Sequence, residues 1–393
     1  MYRNAEGIEK AASLMLAFAE RTGLTSDRPT RRYLWTDAFA VCNFLGLARA
    51  VGEKRYTDLA LRLVDQVHHV LGRYRADDVR RGWISGLSGQ EAESHPTRGG
   101  LRIGKKLPER GPADPFDERL EWDRDGQYFH YLTKWMHALD QVSRSTRDVR
   151  FNRWARELAV VAHDSFCRGP ASRRRMVWKM STDLSRPLVS SLGQHDPLDG
   201  FITCKQLETT AALLSATSTG PSLGECTAAF ASMLHAGAFA TADPLGLGCL
   251  LIDAGRVAQL EQDGAWTADD LLGSLLAAAL EGVAHYAQQH ELRQPASQRL
   301  AFRELGLAIG LSALEILDEE VRDERHRFAR TATVDPCLEQ LVPYTALGSA
   351  IESFWLEPEH RNNPTWSGHR DINDVMLATC LLPDGFLVLA TAP

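Results

Sequence analysis

From Tyr56 onward, Leu59, Ala60, Leu63, Val64, Val67, Val70 and Leu71 recur at helical spacing, while Lys54, Arg55, Asp58, Arg62 and Asp65 fall on the other side. That pattern predicts a helix with one buried stripe. The run before it, Thr36 to Ala50, is apolar on nearly every side (Ala38, Phe39, Val41, Cys42, Phe44, Leu45, Leu47), as expected of a helix enclosed by others. This couplet of enclosed and one-sided helix returns at Gln127 to Val142 with Phe151 to Phe166, then at Gly200 to Ala216 with Ser222 to Phe239. It continues at Leu247 to Leu260 with Asp269 to Ala287, and at Leu300 to Leu317 with Thr345 to Trp355. Asp371 to Leu382 and Ala5 to Glu20 make the last pair. The chain thus reads as about twelve helices in about six hairpins, with almost no alternating strand pattern.

Helical hairpins without a fixed period or shared consensus argue against an open solenoid and for closure into a ring. The expectation is an all-α toroid forming a single domain over residues 1–393. Its largest interruption runs from Arg73 to Asp125, roughly fifty residues dense in glycine and proline, and loops of that length are usually functional or disordered. Trp83, Ile84, Leu87, Leu101, Ile103, Leu107 and Phe116 favour order, so residues 73–125 are expected to be a flap over one mouth of the ring, with a short hairpin around Leu101 to Leu107. The alternative is a packed excursion that seals the ring.

Composition narrows the class. With 44% hydrophobic and 24% charged residues the chain is an ordinary globular protein, and a net charge of −7 opposes a general role on phosphate backbones. Arg80-Arg81 and Arg173-Arg174-Arg175 lack interleaved aromatic platforms and read as solvated faces. Seven scattered cysteines read as reduced core residues, no signal-peptide succession opens the chain, and no apolar stretch reaches about twenty residues uninterrupted. These features point to the cytoplasm, with neither nucleic acid nor membrane as partner, and leave a homo-oligomer open.

Polar and aromatic groups concentrate at the helix openings: Asp37 after Trp35, Trp122 to His130, Asp199-Gly200-Phe201, Asp243-Pro244 and His369-Arg370-Asp371. A cavity rimmed by helix starts is the expectation. Acid–base cleavage needs two carboxyl groups in different environments, and Asp37 with Asp125 is the candidate pair. Asp37 would be desolvated beside Trp35, whereas Asp125 sits among Arg124, Gln127 and Tyr128. Both could instead cap their helices, as aspartate often does. Proton abstraction beside a carbonyl would call on His369 with His130. Arg98 and Arg102 could grip an anionic substrate group through forked hydrogen bonds, or pair with Glu91 or Glu93. Trp35, Trp83, Trp122, Tyr128 and Trp366 offer flat faces for a sugar ring, and Asp199 is a further polar contact. No glycine-rich phosphate loop and no ligand spacing for a metal is present, so no cofactor and no metal is expected, with a metal held by Asp, Glu and His at the helix starts as the alternative.

An all-helical chain of this length with aromatic and acidic helix openings resembles the six-hairpin glycosidase superfamily, the (α/α)6 toroids, and its N-acylglucosamine 2-epimerase and aldose-ketose isomerase relatives. The placement of Trp366-Ser367-Gly368-His369-Arg370 is similar to that of the final inner helix in the epimerases and isomerases. Their mid-chain Pro-Gly-His segment has no counterpart here; His195 and His130 are the nearest histidines. Trp35-Thr36-Asp37 and Asp125-Gly126-Gln127-Tyr128 resemble the hydrolase branch. The resemblance implies a glycoside hydrolase acting on a sugar-like ligand in a central cavity. A sugar isomerase using the histidine pair, or a noncatalytic binding or assembly protein, are the alternatives.

Overall fold

The computed structural model describes residues 5–170, 173–234, 239–262, 270–289, 291–322 and 333–389. They are predominantly helical, and the strands are confined to two two-stranded ladders, Gln127–Tyr128 with Lys179–Met180 and Cys167–Arg168 with Arg175–Met176. By its contacts the chain divides into two compact units. One comprises Met1–Phe18, Gly46–Gly52 and His235–Leu389; the other comprises Ala19–Leu45, Glu53–Leu234 and Ala390–Pro393.

In the unit built mainly from Glu53–Leu234, the helix Phe129–Thr146 is central. It packs on Lys54–Leu71, Val149–Phe166 and Asp196–Leu213, and Asp196–Leu213 packs in turn on Gly224–Ala231. The chain reverses sharply after it because Arg147 takes the left-handed conformation (φ 59°) and the Asp148 carboxylate accepts from Arg150 N at the next helix start. Being buried on almost every side, the helix carries its polar side chains into a closed network. Asp140 accepts from Arg144 (3.0 Å), Gln206 (2.7 Å), Thr210 (3.0 Å) and Asn152 (3.2 Å), which ties three helices together.

Residues 73–125 are ordered, but not as a hairpin. Leu101 to Ile103 run extended through the core, where Arg102 N donates to Leu71 O (2.9 Å), Ile103 N to Gly126 O (2.8 Å) and Leu34 N to Ile103 O (3.0 Å). Leu107 forms a parallel bridge with Arg124 instead of turning back on Leu101. Leu101, Ile103, Ala92 and Thr97 are fully buried, so the expected hairpin gives way to a segment threaded into its own unit.

In the unit built mainly from His235–Leu389, Pro244–Gln262 packs against Ala301–Arg322, which also meets Thr345–Leu356 and Arg370–Leu381. Glycine makes the first crossing possible. A Cβ at Gly248 would lie 2.1 Å from Gly306 O, and one at Gly310 would lie 2.6 Å from Gly248 Cα. Arg299 and Glu304 form a buried ion pair at 2.6 Å; Trp355 Nε1 donates to the same carboxylate and the guanidinium stacks on Phe354 at 3.7 Å. Of the expected helices, Ser222 to Phe239 is present as Gly224–Ala231, with 235–238 outside the described residues. The start expected at Asp269 also lies outside them, and Val334–Leu341 is a helix that the periodicity did not reveal. Leu34–Val51 is long and apolar enough to cross a membrane, but 78% of it is buried, as in a core helix.

Candidate functional site

The short ladder between Gln127–Tyr128 and Lys179–Met180 places Trp178 against Tyr128, ring centroids 5.1 Å apart. His130, two residues on and in the first turn of Phe129–Thr146, stacks on Trp178 at 6.0 Å with planes 10° apart and meets Tyr131 edge-on at 4.9 Å. Trp35, at the start of Leu34–Val51, reaches His130 at 6.0 Å and Tyr131 at 5.3 Å, while the hydroxyls of Tyr33 and Tyr131 lie 2.7 Å apart. Six rings thus enclose one place. Tyr33, His130, Tyr131 and Trp178 are only half-buried, so part of the cluster reaches the surface. Within the cluster the Trp35 indole N–H is buried without an acceptor.

Two carboxyl groups enter the same place from the first turn of Asp196–Leu213, where the spacing i, i+3 puts Asp196 and Asp199 on one face. Asp199 is engaged: it accepts from Lys134 Nζ at 2.7 Å and from the Thr133 hydroxyl at 2.5 Å, both one turn along from His130. Asp196 is not. Its Oδ2 is buried with no partner, and its Oδ1 lies 3.9 Å from His130 Nδ1. Gly193 presses on that carboxyl so closely that a side chain there would collide with Oδ2. Burial, reinforced by the nearby Asp199 charge, pushes the Asp196 carboxyl up to about 8. Burial, reinforced by Lys134, pushes the His130 imidazole down to about 3. At neutral pH the site therefore holds a protonated carboxylic acid, a neutral imidazole and an ion pair. Unequal environments for two carboxyl groups are how one site separates an acid from a base.

Of the residues singled out from the sequence, Trp35, Tyr128, His130 and Asp199 meet here. Asp37 is buried inside the first turn of its helix and is not the N-cap; it accepts from Tyr33 N (2.8 Å), just ahead of the helix, and from Arg32 (3.3 Å). Asp125 lies ahead of its helix and is occupied by four cationic or N–H partners: Arg102, Gly104 N (2.9 Å), Lys105 N (3.3 Å) and Arg75 (3.8 Å). Arg102 spends its remaining donors on the Arg73 and Val70 carbonyls. Arg98 pairs with Glu157 rather than Glu91 or Glu93, and Trp83 packs on His69 and under Arg73. His369 and Trp366 belong to the other unit, His369 exposed at the start of Arg370–Leu381 with its ring beside Phe302, Trp366 buried beside Trp355. Asp243 caps its helix by accepting from Gly246 N and pairs with Arg303.

Asp196, Lys134, Tyr33, Tyr131 and Trp178 were not singled out. The Asp196-Pro197 pair repeats the Asp243-Pro244 opening and could have flagged the helix start; Trp178 had no periodic signal around it. Among the described residues no group of three or more His, Cys, Asp or Glu side chains is arranged to hold a metal ion. No protein-family model matches the chain, and no curated protein matches it.

Proposed function

We propose that the aromatic cluster around Asp196 binds a sugar or similar polyol and that the protein cleaves it by acid–base hydrolysis, with Asp196 as proton donor. One observation carries this reading: a buried, partnerless carboxyl, protonated at neutral pH, stands among half-exposed aromatic rings. Flat ring faces suit the C–H faces of a pyranose, and an acid kept protonated can donate to a leaving glycosidic oxygen. Asp199, fixed by Lys134 and Thr133 on the same helical face, supplies negative charge beside a developing oxocarbenium centre. The ring of helical hairpins remains part of this proposal. It is supported by the packing of alternate helices within each unit, Phe129–Thr146 with Asp196–Leu213 and Pro244–Gln262 with Ala301–Arg322.

The test is a screen of 4-methylumbelliferyl glycosides to find the sugar, followed by Asp196→Asn assayed on the matching oligosaccharide, whose poor leaving group needs the proton. Turnover should fall by about a thousandfold or more, while the variant still binds the sugar product. Full activity in Asp196→Asn would remove the assignment. The His130–Asp196 approach of 3.9 Å supports a second reading, epimerisation of a free sugar by this pair. Incorporation of solvent deuterium into recovered sugar, without bond cleavage, would select it.

A further inference from the structure

Elsewhere in the same unit, the helix Val149–Phe166 presents Arg153 and Glu157 one turn apart to an open cleft of about 460 Å³. His95 and Arg98 form one wall, and Ser218 and Thr219 form the other. The Glu157 carboxylate is buried (6% exposed), and only one of its oxygens is used: Oε1 accepts from His95 Nδ1 at 2.7 Å and faces Arg98 Nη2 at 3.4 Å. Oε2 has no partner, and neither has the buried Nε of Arg153. Buried acceptors and donors left open cost about 1–3 kcal/mol each, which marks a place where a hydrogen-bonding molecule would be stabilising. Arg153 is otherwise tied by one bond to Ser94 O, and Arg98, 44% exposed, is able to swing toward an incoming group.

We propose that this cleft is a second ligand site, taking a small hydroxylated anion such as a sugar acid or sugar phosphate. Two guanidinium groups against one carboxylate leave the cleft net positive, so an anionic group is drawn to Arg98 and Arg153. The open Glu157 oxygen demands a donor on the same molecule. An ammonium would be repelled by the two arginines, whereas a hydroxyl satisfies the carboxylate without added charge. The exposed Ser218 hydroxyl lies across the cleft as a further partner for a polyol, while that of Thr219 donates to Ala216 O (2.7 Å) and accepts from Arg156 Nη2 (3.2 Å). None of these side chains belongs to the aromatic site, so the assignment stands whether or not Asp196 is a proton donor.

Calorimetric titration of the full chain with D-gluconate, D-glucose 6-phosphate, inorganic phosphate and D-glucose tests it. Gluconate or glucose 6-phosphate should bind saturably, at least about tenfold tighter than phosphate or glucose alone, and which of them binds tells carboxylate from phosphate. Arg98→Ala, at a half-exposed position, should weaken that binding by about tenfold or more in a protein that still folds with its helical circular dichroism intact. Glu157→Gln should narrow the gap between glucose 6-phosphate and phosphate; if that variant does not fold, Arg98→Ala alone decides. Absence of saturable binding by both hydroxylated anions, equal binding of bare phosphate, or unaltered affinity in Arg98→Ala overturns the proposal.

Discussion

Asp196→Asn should make the protein more stable at neutral and alkaline pH, and the gain should grow with pH. The folded protein holds this carboxyl at about 8, against an ordinary value of 3.8. Above 3.8 the unfolded chain releases the proton while the folded one keeps it, so stability falls as pH rises through the interval and levels off above about 8. At about 1.4 kcal/mol per unit the whole interval corresponds to about 6 kcal/mol, of which about 4 kcal/mol has accrued by pH 7. Asparagine keeps the shape and cannot ionise. Melting temperatures of both proteins should therefore diverge from pH 5 to 8 and keep a constant gap from there to pH 9, the variant lying several degrees above wild type at pH 8 and much nearer to it at pH 5. Parallel curves, or a variant less stable at pH 8, would show that Asp196 ionises freely in the folded protein and would sink the proton-donor assignment with it.

His130 acts on the opposite limb: its imidazole is pushed down to about 3, so its contribution is present above pH 6.5 and lost as pH falls toward 3. His130→Gln should thus flatten the loss between pH 6.5 and 4 by on the order of 2 kcal/mol, allowing for the quarter of the ring that meets water, as read by urea unfolding. Arg102→Met should cost about 3–5 kcal/mol, because it leaves the fully buried Asp125 carboxylate without its closest cation; Asp125→Asn in the same background should recover part of the loss. Gly248→Leu should destabilise by about 3 kcal/mol or more in a thermal melt, since even its Cβ would sit 2.1 Å from Gly306 O; a neutral result would show that the two helices do not cross there. Deleting residues 86–111 should prevent folding, visible as lost helical circular dichroism, because it removes the core residues Leu101 and Ile103.

The helices were legible because their signal is periodic and local. Lys54–Leu71 shows a stripe and Leu34–Val51 an enclosed run, and both appear close to where the spacing puts them. Val334–Leu341 escaped because eight residues carry barely two turns of pattern. The site was less legible. Aspartate at a helix opening signals a cap and an acid equally, and what separates them is the partner count: Asp37 and Asp125 face backbone N–H groups and arginines, whereas Asp196 faces none. Those partners come from distant stretches, Arg102 for Asp125 and Lys134 for Asp199, so spacing along the chain says nothing of them. Trp178 reaches His130 only through a two-residue ladder that no alternation could reveal.

The contrast between Asp196 and Asp199 follows first from the burial of the Asp196 carboxyl and then from the placing of one side chain. Both leave the same turn of helix, yet Lys134 reaches Asp199 at 2.7 Å and leaves Asp196 with the residual repulsion of its neighbour. A carboxyl at about 8 is a weak acid at rest, but a substrate passing to an oxocarbenium-like state places positive charge beside it, which lowers the cost of the new carboxylate when the proton leaves. The buried, partnerless oxygen that destabilises the empty protein is thus the group that substrate charge would stabilise. Lys134→Met should remove the cation that engages Asp199 and, because the same ammonium lowers the Asp196 value, move the Asp196 limb to higher pH. In the proposed hydrolysis its pH–rate profile would lose the limb set by an ionised partner while keeping the limb set by Asp196, and an unchanged bell would place the second ionisation elsewhere.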